Sequence, residues 1–151
     1  MTEQDLPCVS KVEHSAGRYP WQQHAFIDSL KSNHCCKVAL IGDVIIGHGI
    51  IMTVLDEAHL LILSVDKAYQ RKGYAKALLR HLIQEAEKRQ ATILFLEVRE
   101  SNNVAFQFYL NQGFNEIGSR TNYYPTKRGE KENAILMAAT LFPSNNLPRD
   151  Y

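Results

Sequence analysis

The chain has 151 residues, 45% of them hydrophobic, which is the size of one ordinary domain with enough apolar material for a single sizeable core. Its 17 basic and 16 acidic residues leave a formal charge of +1, so the whole-molecule field neither recommends nor excludes nucleic acid, and any anion site has to be local. No apolar run approaches the roughly 18 residues that cross a bilayer, and the opening MTEQDLPCVS lacks a signal peptide's basic start and apolar middle, so the sequence reads as cytoplasmic with no membrane partner.

In chain order, residues 21–32 (WQQHAFIDSLKS) carry Phe26, Ile27 and Leu30 on one side of a short helix. The pattern over 37–66 is β: KVALIG, a Gly42-Asp43 hairpin turn, VIIGHGIIMTVL, a polar break at Asp56-Glu57, then AHLLILSVD, together an antiparallel meander. Over 75–89, Ala75, Leu78, Leu79, Leu82, Ile83 and Ala86 recur at the spacing of one α-helical face. A buried strand follows at 92–98 (TILFLEV), then a short helix at about 103–112, with Asn102 or Asn103 able to cap its start and Gly113 able to end it in the left-handed region. The last strand is AILMAATL, 134–141, and the tail FPSNNLPRDY, 142–151, reads as untethered and flexible. These elements predict one α/β (α+β) domain over 1–151, with a mixed central sheet that contains an antiparallel meander and is flanked by helices. Cys8, Cys35 and Cys36 are odd in number, with no second pair at zinc-ligand spacing; all three read as reduced packing residues, and no metal is expected.

The stretch YQRKGYAKALLRHLI, 69–83, sets a basic turn directly before the long helix. A strand ending at Val65-Asp66, one glycine and a helix N-terminus together present free backbone N–H groups and the positive end of a helix dipole. That combination seats anions: Gly73 lets the backbone approach a ligand, and Arg71, Lys72 and Lys76 add charge for phosphate oxygens. A simple turn with solvated cations fits the same six residues. The spacing is neither that of a Walker loop nor that of a dinucleotide fingerprint.

Gln70 to Ala75 (QRKGYA) resembles the Q/R-x-x-G-x-G/A signature of the GNAT acetyltransferases, between a central strand and an amphipathic helix as in that family; Ala75 stands where a second glycine is common. ESNNVAFQFYLNQGF, 100–114, is similar to the family's later Asn, Ala, Tyr and Gly-Phe segment. More narrowly, the run from about Leu55 to Leu141, including VLDEAHLLILSVD, FLEVRESN and NYYPT, resembles the RimI group. The first 50 residues match less distinctly apart from YPW at 19–21, and the tail has no counterpart.

The resemblance implies the GNAT acyl-CoA N-acyltransferase fold, acetyl-CoA as co-substrate, and transfer of acetyl to the N-terminal alanine of a small-subunit ribosomal protein. The turn Gln70, Arg71, Lys72, Gly73, Tyr74, Ala75 and Lys76 would hold the cofactor's pyrophosphate. The backbone of Leu63, Ser64 and Val65 would pair with its pantetheine arm, with the acetyl group near Leu63. Such a site needs a neutral amine, a donor for the tetrahedral oxyanion and a proton for the departing thiolate.

Glu97, between Leu96 and Val98 in a strand that reads as buried, fits a base whose pKa burial raises, a structural ion pair with Arg99, or a position on a wet face. The resemblance selects the base, because the group carries a glutamate at the matching position. Tyr109 reads on spacing as a core residue, and the resemblance makes it the general acid. Asn102 is either a helix cap or a partner for the pantetheine amides. The polar segment 118–133, between the last two strands, is either an exposed loop or the wall of a peptide groove presenting Tyr123 and Tyr124; NYYP points to the groove by resemblance. Trp21 and Glu57 are weaker candidates, equally well read as structural.

An α-amine, with a reference pKa of roughly 7.7 to 8.0 against about 10.4 for lysine, is the easier acceptor for a mildly basic glutamate. Alternatives are a GNAT that acetylates lysine or a small-molecule amine, and a module that holds coenzyme A or a ribosomal surface without turnover; the presence of both Glu97 and Tyr109 argues against the latter. A nucleic-acid reading would need a basic stripe with interleaved aromatics, and the sequence holds only the local cluster at 71–80, so no direct nucleic-acid partner is expected.

Overall fold

The computed structural model describes residues 1–143. Four α-helices, α1 (Leu6–Ala16), α2 (Gln23–Lys31), α3 (Tyr74–Lys88) and α4 (Asn103–Asn111), pack on a six-stranded sheet. Its strands are β1 (Cys35–Ile41), β2 (Val44–Val54), β3 (Glu57–Val65), β4 (Ile93–Arg99), β5 (Asn115–Pro125) and β6 (Lys131–Thr140), in spatial order β1-β2-β3-β4-β6-β5. Only β3 and β4 run parallel; every other neighbouring pair is antiparallel, so the sheet is mixed as expected.

The helices divide between the two faces because each strand alternates its side chains. On one face Leu78, Leu79, Leu82 and Ala86 of α3 meet Ile51, Leu60, Leu94, Leu96 and Met137, and Tyr109 and Phe114 close the far end. On the other face Leu6 and Val9 of α1 and Phe26 of α2 pack on Ile50, with Val38, Leu61 and Ile62 at the margin. The helix expected at 75–89 therefore has the predicted buried stripe, with Ala75 and Ile83 half-buried at its edges.

Two elements lie where no periodicity announced them. The stripe of α1 is Leu6, Val9, Val12 and Glu13, so one of its four buried positions is a carboxylate, and Pro7 sits in the first turn, where the missing N–H costs nothing. β5 is an edge strand bonded only to β6 and exposed at nearly every position, which removes the apolar alternation that would mark it. Residues 118–133 are thus not one loop: only 126–130 connect β5 to β6. The second hairpin turn falls on Leu55 and Asp56, one residue earlier than the polar break, with Leu55 in the left-handed region at φ 55°.

Two further expectations change. Cys35 is buried and Cys36 partly so, and burial raises both thiols above their usual range, but Cys8 is exposed and packs nothing. At the start of the stretch expected to be untethered, the Phe142 N–H donates to Glu87 Oε1 at 3.1 Å and Pro143 is fully buried; residues 144–151 lie outside the described residues.

The feature that shapes the molecule is the seam between β3 and β4. Their parallel pairing runs from Glu57↔Ile93 to Leu60↔Leu96 and stops. On the other edge of β3 the register shifts at the same level, from Ile51↔Leu60 to Ile50↔Ile62, leaving Leu61 as an extra residue. A bulge of this kind bends its strand, and β3 turns away with β2 while β4 stays bonded to β6 as far as Arg99↔Ala134. The two strands splay into a V.

Truncating Leu82, fully buried between α3 and the sheet, is expected to cost about 3 kcal/mol through lost burial and a residual cavity. Urea or guanidinium unfolding of Leu82→Ala against the parent checks this; a shift below about 1 kcal/mol would contradict the packing described.

Candidate active site

The V leaves strand backbone without a strand partner. Asp66 N–H donates to Ile46 O at 2.8 Å, and Ser64 O lies against Gly47, so Ser64 and Asp66 face their backbone toward β2. By alternation Leu63 and Val65 face theirs into the gap. Val65 O is taken by Gln70 Nε2 at 2.9 Å, which ties the following turn to the mouth of the V. A cavity of about 210 Å³ fills the gap, bordered by Leu63 on β3, by Glu97 and Arg99 on β4, and by Asn102 and Tyr109 at α4.

At the mouth, Asp66 accepts Ala68 N–H at 2.8 Å and starts a short 3-10 turn, Lys67–Tyr69. Arg71 and Gly73 then take left-handed φ of 62° and 86°, and Gly73 is the N-cap of α3 with no side-chain cap. The first helical bond of α3 is Ala77 N–H to Gly73 O at 3.0 Å, so the N–H groups of Tyr74, Ala75 and Lys76 have no partner within the helix. Arg71 and Lys76 are exposed, whereas Lys72 folds back to donate to Ala68 O at 3.1 Å over the Tyr69 ring. Of the three expected cations, two stand ready for an anion and one is occupied by its own turn.

On β4, Leu94, Leu96 and Val98 are buried toward α3 and α4, which sends Phe95, Glu97 and Arg99 to the opposite face. α1 and α2 cover that face only over β1 to β3, so Glu97 is half-buried, with its side chain 26% exposed, rather than sealed in the core as its neighbours suggested. Its ion pair is with Arg120 on β5, Nε to Oε1 at 2.8 Å, and not with Arg99. Arg99 instead donates to Glu132 Oε1 at 2.8 Å and to Pro125 O at 3.0 Å. Its guanidinium lies 3.7 Å from the Tyr19 ring centroid and 4.4 Å from that of Tyr124, joining the α1–α2 connection to β5.

Tyr109 is buried, at 8% exposure, and burial, helped by nearby Tyr124, pushes its phenol well above the usual range; it stays protonated at neutral pH. Tyr124 is pushed up to about 12 by burial and then by the Glu97 charge. Tyr123 is raised too, chiefly by the same carboxylate. Asn102 does cap α4, its Oδ1 accepting Ala105 N–H at 3.1 Å, while also bordering the cavity; Gly113 ends the helix region at φ 90°. A second, wider cavity of about 590 Å³ opens on the uncovered face between Trp21 and Glu57 on one side and Tyr123 and Arg120 on the other. Glu97, Tyr124 and Trp21 border both cavities.

The two sequence motifs and the candidate base and acid thus converge on one cleft. Sequence reasoning missed Glu13 and Arg120, and it met Tyr19 only as the first residue of YPW, without a role. Glu13 lies in the N-terminal stretch where nothing but YPW carried a signal, and Arg120 lies on the edge strand that showed no pattern.

A mixed sheet parted at its one parallel seam, with a free helix N-terminus at the mouth of the gap, has the acyl-CoA N-acyltransferase architecture. The chain belongs to the acetyltransferase (GNAT) family, matching it over residues 4–114, and is an N-acetyltransferase. The family uses acetyl-CoA. The chain is 40% identical to a [ribosomal protein bS18]-alanine N-acetyltransferase of Haemophilus ducreyi, over 93% of this chain and 97% of that protein. It is 42% identical to the protein of the same name from Escherichia coli K12, over 89% and 90%. The crystal structure of the ribosomal-protein-S18-alanine N-acetyltransferase from Escherichia coli superposes with a TM-score of 0.86 at 39% identity, covering 97% of this chain and 95% of that one.

A Cβ at Gly73 would meet nothing within 4 Å, so Gly73→Ala is expected to cost only the roughly 1–2 kcal/mol of left-handed strain in stability. A methyl at this N-cap position is expected to crowd an anion seated on the adjacent N–H groups, and the KM for acetyl-CoA should rise about tenfold, an anion-contact loss of ordinary size. Steady-state kinetics beside a melting curve separates the two effects; an unchanged KM would remove this turn from the binding site.

Proposed function

We propose that this N-acetyltransferase moves acetyl from acetyl-CoA to the N-terminal alanine of a small-subunit ribosomal protein, working in the cytoplasm. The observation that carries the reading is similarity along nearly the whole chain, at 40% identity over 93% of it, to enzymes named for that reaction. A cleft open on two sides agrees with it. The narrow cavity along Leu61 to Leu63 suits an extended amide-rich arm, and the wide cavity between Trp21 and Tyr123 suits a peptide end.

In this reading, the pyrophosphate rests on the free N–H groups of Tyr74, Ala75 and Lys76, with Arg71 alongside, Gly73 allowing the approach and Gln70 holding the turn to β3. Leu63 and Val65 pair with the pantetheine arm through their backbone, Ser64 keeps the strand between them aligned, and Asn102 offers its side-chain amide. The Leu63 N–H polarises the thioester carbonyl. Glu97 takes a proton from the ammonium, directly or through water, and the neutral amine attacks the carbonyl carbon. As the tetrahedral species collapses, the C–S bond breaks, Tyr109 donates its phenolic proton to the departing sulfur, and the second proton lost by the attacking nitrogen restores the phenol through water, while Glu97 releases the first to solvent. Tyr123 and Tyr124 form one wall of the acceptor groove, with Trp21 and Glu57 opposite. Lys72, folded onto Ala68 O, contributes charge and no direct contact.

Glu97→Gln should lower kcat by about 10²- to 10⁴-fold with little change in the KM for acetyl-CoA, the range for loss of a general base. The substrate is tested with two peptides of shared sequence, one beginning with free alanine and one N-terminally blocked and carrying lysine, with thiol release as readout. Turnover of the first alone is expected; turnover of the second alone would transfer the acceptor to lysine.

A further inference from the structure

Glu13 is the carboxylate that neither the turn nor the acid–base pair accounts for. It projects from a buried position of α1 to the border of the narrow cavity with its side chain only 7% exposed, where an aliphatic side chain would avoid the cost of burying a charge. What an aliphatic side chain lacks is acceptor oxygens, and Glu13 uses both. Oε2 accepts the Ser64 hydroxyl at 2.7 Å, and Oε1 accepts the Trp21 N–H at 3.1 Å. Burial alone would raise this carboxyl, but His48, Ser64 and Trp21 outweigh it and hold it below the usual carboxylate range.

The two hydrogen-bonded partners belong to different elements, Ser64 to β3 and Trp21 to the connection between α1 and α2. Ser64 lies between Leu63 and Val65, whose backbone faces the gap in the sheet. Trp21 borders both cavities and is held from behind as well: its ring packs on Phe26 at 5.4 Å, and Phe26 meets the edge of His48 at 5.3 Å. His48, fully buried, places Nε2 3.0 Å from Glu13 Oε2, off the line of a ring N–H bond, and its Nδ1 has no partner among the described residues. The contacts thus close into a ring, from Glu13 to Trp21, Phe26, His48 and back, with Ser64 as its arm into β3.

We infer that Glu13 is a positioning residue for acetyl transfer: one buried carboxylate fixes the bulged half of β3 and the Trp21 wall relative to each other, and so sets the distance between donor and acceptor. The inference rests on reading the gap as the slot for the acyl donor. It accounts for an ionisable group at a core position of α1, and for its two oxygens going to partners 51 and 8 residues away.

The variants separate the two arms. Ser64→Ala cuts the β3 arm alone and is expected to raise the KM for acetyl-CoA and lower kcat about three- to tenfold, leaving the KM for a free-alanine peptide within twofold. Ser64→Thr restores the hydroxyl and should recover most of the kcat and of the acetyl-CoA KM that Ser64→Ala loses. Glu13→Gln has one acceptor oxygen for two donors; it should raise both KM values and lower kcat at least tenfold. Kinetic constants within twofold of the parent for Ser64→Ala and Glu13→Gln, measured well below their melting temperatures, would overturn the inference and leave Glu13 a stability element. If Glu13→Gln does not fold, the Ser64 pair decides by itself. Calorimetry of coenzyme A binding to the parent runs alongside: no binding would sink the slot and this role together, whereas normal binding with unchanged variants would sink the role alone.

Discussion

Everything in the site follows from one irregularity, the extra residue Leu61 in β3 at the level where the β3–β4 pairing ends. Buried strand groups need partners, and a sheet that opens at its centre leaves some without. Both sides of the opening are nonetheless rigid, because β2 continues to bond β3 and β6 continues to bond β4. The gap is therefore a fixed slot with strand-like donors and acceptors along one wall, which suits a ligand arm carrying amides. The turn after β3 adds an anion seat at the mouth, since the bend that opens the slot also delivers the chain to the N-terminus of α3.

The same geometry separates the work of the two faces. Side chains of β4 alternate, so the residues that seal the core, Leu94, Leu96 and Val98, oblige Glu97 and Arg99 to face the side that α1 and α2 leave open beyond β3. Glu97 thereby reaches both cavities, while Tyr109, coming from α4 on the core side, meets it across the narrow one. Glu97 is a half-exposed carboxylate held by Arg120 and Tyr109 a buried, protonated phenol, the two groups to which the proposed function gives the roles of proton acceptor and proton donor. Arg99, stacked between Tyr19 and Tyr124, closes the frame by fastening the α1–α2 connection to the β5–β6 hairpin.

Much of this was legible in the residues. The stripe of α3 and the alternation in β2 to β4 are strong periodic signals because those elements bury one or both faces, and the turn at Gly73 stood out because few patterns set free N–H groups, glycine and cations together. What stayed hidden has physical causes. α1 buries Glu13, which breaks an apolar stripe for the sake of Ser64 and Trp21; β5 is a polar edge strand without an inside. The partner of Glu97 could not be read either: Arg99 is near in sequence, but alternation and the Tyr19–Tyr124 sandwich turn it away, and Arg120 arrives from a strand 23 residues on. Bulges are silent in sequence, so the slot was expected only from likeness to a family and became a geometric fact with the strand register.

The most direct test of the slot is amide hydrogen exchange at Leu63 and Val65, followed by NMR with and without acetyl-CoA. The account predicts that both amides, open to the gap in the free protein, slow markedly when acetyl-CoA binds, together with those of Tyr74 to Lys76. Protection at Tyr74 to Lys76 with none at Leu63 and Val65 would mean that the nucleotide end binds while the arm lies elsewhere, and would contradict the account.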